Sequence, residues 1–244
     1  MRLTLFFTIL LYLIVNSFTV FSQNSKLDCR LAEIYTQQKT EDYGLYITVI
    51  DTLLGRNYKP ELHFKKMIVR HLYIAHLLFY DNTNKEIAQQ IQAFKQDIRT
   101  LEKLPQYKNS MTAFYATYYG YYAAQRPSMA LFYLPRSFSL AKEAIKTNST
   151  SPYSWTEYGN LHYCYALFLH SDFSTAITAF TKAVKLFESE KLDLSCNWYY
   201  INSLLFLAKS YEDNKQFAEA NKVYDKILNI RPDFSAITRW KHKL

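Results

Sequence analysis

Glycine and proline are scarce in this chain, at four and six among 244 residues. The glycines are Gly44, Gly55, Gly120 and Gly159. No two lie close enough to build a phosphate-cradling loop, which excludes nucleotide binding through a glycine-rich motif. Neither HExxH nor CxxC occurs. His71 and His76 are five residues apart and point to different sides of a helix. His63 and His71 can share a face, but no acid nearby completes a metal set. No block of like charge resembles a nucleic-acid-binding arm, and no segment alternates convincingly like a strand. These absences leave no expected metal, cofactor or nucleic acid, and no catalytic constellation.

Cysteine is nearly absent as well: Cys29, Cys164 and Cys196. An odd count makes a poor disulfide framework, although one pair can form in an oxidising compartment. Cys164 falls within an apolar helical pattern, where a small buried hydrophobe is the expected role. His162 and His170, two and six residues from it, do not face it on a helix.

What the chain has in abundance is large apolar surface. Hydrophobic residues make up 49% and aromatics 17%, with Tyr 22 and Phe 17. That is enough to offset the entropy of ordering, so disorder is excluded. Few breakers and many bulky side chains predict long helices joined by short turns.

Residues 1–22 read as a separate unit. Arg2 is their only charge, and Leu3 to Val15 is almost wholly apolar. Val20 and Ser22 are small enough for the −3 and −1 positions of a signal-peptidase site before Gln23. This predicts a secretory signal peptide and a periplasmic or extracellular protein. An uncleaved anchor is the rival reading, since about 20 apolar residues span a bilayer. Cys29 follows Ser25-Lys26-Leu27-Asp28, too polar a run for a lipidation site. No later stretch approaches spanning length without charge. Cleavage leaves 28 Lys+Arg against 21 Asp+Glu, a net +7.

Periodicity divides the remainder into a helical region at 23–108 and helical repeats at 109–244. Helices are predicted at 26–38, 41–54 (broken by Gly55 and the Arg56-Asn57-Tyr58 stretch), 60–80, 85–104 (ended by Pro105) and 109–125. Pro135 predicts a loop or kink before a helix at 136–146. Further helices are predicted at 153–169, 173–189, 197–213 and 216–230, with a short one after Pro232. Ile87, Ile91, Phe94, Ile98 and Leu101 recur every three or four residues, the mark of one buried helical face.

The last helix pair carries a repeat pattern: Leu204, Leu207-Ala208, Tyr211, Phe217, Ala220, Tyr224, Ile227 and Pro232. The pair before it carries Trp155, Tyr158-Gly159 and His162, then Ala176, Phe180 and Ala183, with a turn about five residues longer. A weaker unit at 110–147 ends on Phe138, Ala141 and Ala144. Over about 110–240 the chain resembles the tetratricopeptide repeat (TPR). As a whole it looks like the exported bacterial TPR proteins that include TRAP-transporter T-component-like periplasmic proteins. That resemblance implies an all-α fold of antiparallel helix pairs stacked as a right-handed solenoid.

It also implies a site. First-helix positions that line the concave groove of a TPR fall here on Thr156, Asn160, Tyr163, Asn202, Lys209 and Glu212, with Leu205 and Asp213 beside them. The expected function is a protein-interaction scaffold, not an enzyme, holding a protein or peptide partner on that concave face. The alternative is a periplasmic ligand-binding component associated with an envelope transporter, with a small apolar molecule held between helices. The tyrosines at 115–122 are expected to pack between helices, with hydroxyls at the rim.

Overall fold

The computed structural model describes residues 26–37, 39, 42–190 and 193–241. The signal-segment reading concerns residues 1–22, which lie outside them. The described residues are all-helical, with no strand among them. Helix α1 covers 26–37. Then come α2 (Asp42–Arg56), α3 (Pro60–Tyr80), α4 (Glu86–Leu101) and α5 (Pro105–Gln125). A 3₁₀ turn (Pro127–Met129) leads into α6 (Ala130–Thr147) and α7 (Pro152–Leu169). The chain ends in α8 (Ser174–Ser189), α9 (Trp198–Asp213), α10 (Phe217–Ile230) and α11 (Ser235–Lys241). No described helix is long and apolar enough to cross a membrane.

Local chemistry explains most boundaries. Pro60, Pro105 and Pro152 each stand in the first turn of a helix, where a missing N–H costs nothing. The Ser151 hydroxyl accepts from the Ser154 amide, and Asn197 Oδ1 from the Tyr200 amide, capping α7 and α9. His170 ends α7 in the left-handed region at φ 51°.

Helix α2 ends at Arg56, within the Gly55 to Tyr58 stretch expected to break it. One expectation needs correction. Pro135 lies inside α6, with no loop before Arg136. The hydrogen bond lost there is the one to the Leu131 carbonyl, one turn earlier. Leu131 is on the solvent side, so water can satisfy that carbonyl and the helix tolerates the ring.

Consecutive helices pack as pairs, α3 with α4, α5 with α6, α7 with α8 and α9 with α10. The second helix of each pair also packs on the first helix of the next, and α5, α7 and α9 lie side by side. Their contacts run in step: Phe114 and Thr117 of α5 meet Tyr153 and Glu157 of α7, and Thr156 and Tyr163 of α7 meet Ser203 and Phe206 of α9, each in that order. These helices are therefore parallel.

Small residues permit the close approaches. A Cβ on Gly159 would lie 2.8 Å from the buried Phe180 ring, so only glycine lets α7 and α8 meet there. Ala208, Ala220 and Tyr224 are fully buried between α9 and α10.

The two ends of the chain meet. Cys29 of α1 and Cys196, just before α9, form a disulfide across 167 residues. Beside it Tyr35 donates to Asn202 at 2.9 Å, and Thr36 to Asp233 at 3.1 Å. Arg231 bonds both Asp233 and Thr36. One apolar cluster accordingly extends from Leu31 in α1 to Ile237 in α11.

Candidate functional site

On α7 and α9, the face turned away from α8 and α10 carries residues at helical spacing. Glu157, Asn160 and Cys164 stand on α7; Asn202, Leu205 and Lys209 stand on α9. The lower half of this face is filled by the chain's own N-terminal helices. Phe64 of α3 meets Tyr107, Phe114 and Tyr153. His71 of α3 lies among Phe94, Phe114, Tyr121, Trp198 and Tyr199. Tyr35 of α1 packs on Trp198 and Phe234.

A polar knot is enclosed where α3, α5, α7 and α9 converge. Glu157 is almost fully buried. Tyr199 and Thr117 donate to its two carboxylate oxygens, Asn160 donates at 3.3 Å, and His71 Nε2 lies 3.5 Å away. The Tyr121 hydroxyl lies 2.6 Å from His71 Nδ1 and 2.9 Å from the His71 carbonyl oxygen. Burial lowers the His71 pKa, against an opposing pull from Glu157. Burial first, and then the Glu157 charge, hold Tyr121 and Tyr199 well above the usual phenol range. The knot is thus a neutral-donor cage around one carboxylate. Both carboxylate oxygens of Glu157 are bonded within the chain, while Asn160 Oδ1 is left without a partner among the described residues.

A second buried carboxylate ties α3 to α4. Asp97 accepts from Arg70 at 2.8 Å, lies 2.9 Å from His63 Nε2 and pairs with Lys66 at 3.2 Å. Desolvation would raise its pKa, but His63, Arg70 and Lys66 together hold it below the ordinary carboxylate value.

The six sequence-expected residues fall into two groups. Thr156 and Asn202 are buried in bonds within the chain, Thr156 to Ser203 at 2.8 Å and Asn202 to Tyr35. The other four lie further along the face. Asn160 bonds Glu157, and its Oδ1 is buried with no partner among the described residues. Tyr163 donates to Asp213 at 2.8 Å. Lys209 pairs with Glu212 at 3.1 Å and sits over the Trp240 ring at 4.6 Å, while Glu212 also accepts from Tyr224.

Cys164 departs from its expected core role: it is a free, exposed thiol. Tyr163 and Ala166 point inward, and the helical phase turns Cys164 about 100° away from Tyr163. Sequence reasoning missed the Glu157–His71 knot, because Glu157 and His71 are far apart in the chain and lie on helices of different pairs. No family model, curated protein or solved structure matches the chain.

Proposed function

We propose that the protein is an exported, non-enzymatic scaffold, a TPR-like right-handed solenoid that holds a protein or peptide partner on the face of α7 and α9. The observation that carries this reading is the seating of α1 on α9. A helix from the far end of the chain lies on the face a partner would use, held by the Tyr35–Asn202 bond and by ring contacts with Trp198. A surface that accepts its own helix through a buried amide and aromatic side chains has the chemistry to accept another.

The part beyond α1 and α3 is the place for that partner. Exposed Cys164 and Leu167 on α7, with half-buried Leu205 and Lys209 on α9, offer apolar contact beside a cation. A segment with an apolar side chain next to a carboxylate fits both. Attaching a photo-crosslinker to Cys164 tests this in envelope extract. Capture of a discrete partner at Cys164 is expected, with none from the same label on Lys142→Cys in a Cys164→Ser background, since Lys142 lies on the exposed side of α6. Equal capture from both positions would sink the proposal.

A further inference from the structure

The first helices of the pairs are parallel, so their C-terminal ends come out on one end of the molecule, and there the apolar surface is uncovered. Leu131 is 86%, Phe168 81% and Phe132 71% exposed. Tyr165 and Leu169 join them on α7, with Met129 on the α6 side. Between these knobs lies an open depression of about 390 Å³, lined by Ala130, Leu131, Leu134, Pro135, Phe138 and Tyr165.

From this patch we propose that the protein is a two-fold dimer in which Phe168 of each copy enters the α6–α7 depression of the other. The proposal is independent of the partner face assigned to α7 and α9.

Three properties point to a second copy as the occupant. First, the patch carries both the knob and the hole. That is the condition for an isologous interface, in which one surface meets itself about a two-fold axis. Second, the exposed fractions of Leu131, Phe132, Tyr165, Phe168 and Leu169 amount to roughly 600–700 Å² per copy, given ~150–250 Å² for each large side chain. A specific interface takes about 800 Å² from each partner, and a monomer's largest apolar patch is usually ~300–600 Å². Third, the rim is complementary to itself. Arg136, with no ion-pair partner among the described residues, borders the α6 side. Asp172, whose carboxylate caps the nearby Ser174, borders the α7 side. A two-fold axis through the patch exchanges those sides and sets Arg136 of one copy opposite Asp172 of the other.

Sedimentation of the purified protein from low to high micromolar concentration tests this. The expected result is a dimer that dissociates on dilution. Leu131→Asp with Phe168→Asp should be monomeric throughout, with wild-type helicity and melting because both side chains face solvent. Phe168→Ala, a milder change, should weaken association more than ~tenfold, as loss of a central aromatic anchor does. Asp172→Arg should weaken it too, and Asp172→Arg with Arg136→Asp should recover part of the loss. A wild-type protein that stays monomeric, or a dimer indifferent to Phe168→Ala, would overturn the proposal. Monomers that co-sediment with phosphatidylglycerol vesicles through Leu131 and Phe168 would overturn it as well, and assign the patch to a lipid surface.

Discussion

Replacing Cys29 and Cys196 with serine is expected to lower the unfolding free energy by about 4–5 kcal/mol, a large part of what a domain of this size possesses. The bond closes a loop of 167 residues. In the chain-entropy account, so long a loop withholds about 5 kcal/mol of freedom from the unfolded state. The fold adds a second reason. The disulfide fastens α1 onto α9, and the bonds from Tyr35 and Thr36 depend on α1 staying there. Denaturant unfolding of the oxidised protein and the double serine variant measures the loss. Cys164→Ser, at an exposed free thiol, should change stability by less than ~0.5 kcal/mol. A loss below about 1 kcal/mol in the double variant would show that α1 is held without the bond.

Removing the Asp97 carboxylate should be nearly as costly. Asp97→Ala leaves the buried Arg70 guanidinium without its counter-charge, bonded only to neutral Gln90, and His63 Nε2 without its partner. Stranding a buried charge in this way typically costs about 3–5 kcal/mol. The same carboxylate makes stability depend on pH. Its folded pKa lies below the unfolded value, so its contribution is complete above about pH 4 and is lost as pH falls through the folded pKa. His71, with its folded pKa also lowered, acts in a higher window. Its unfolded form takes up a proton below about pH 6.5 while the folded form does not, so stability begins to fall there on acidification. Acid unfolding should show both stages in the wild type. Asp97→Asn should lack the lower one, and an unchanged profile in that variant would contradict the assignment.

How much of this was legible in the sequence differs between local and distant features. The helices were readable because proline, capping residues and apolar period act within a few residues. The starts of α3, α7 and α9 are set locally, by Pro60 and by the Ser151 and Asn197 caps, and α10 by its Ala220–Tyr224–Ile227 face. Pro135 misled because the rule against proline assumes a carbonyl out of reach of water, whereas Leu131 is exposed. Cys164 misled because an apolar run does not fix helical phase; its neighbour Tyr163 took the inward position. The site was legible as a face on two helices but not in its contents. Nothing in the spacing of α7 and α9 says that Tyr35 and His71, from the other half of the chain, will lie upon them. That depends on the closure through Cys29 and Cys196, which an odd cysteine count left open.

The filled half of the face also decides which residues can report on binding. Asn202→Ala would unseat Tyr35, and Thr156→Ala would remove the buried Thr156–Ser203 bond between α7 and α9, so either confounds binding with folding. Lys209 and Cys164 lie beyond those bonds. The most direct measurement is the affinity of the captured partner for the wild type and for Lys209→Glu with Cys164→Trp, which reverses the cation and fills the open space. Circular dichroism should confirm equal helicity. The account predicts a loss of about 1–3 kcal/mol, or roughly ten- to a hundredfold in affinity. Equal affinities at equal helicity would contradict it, and remove the α7–α9 face as the binding surface.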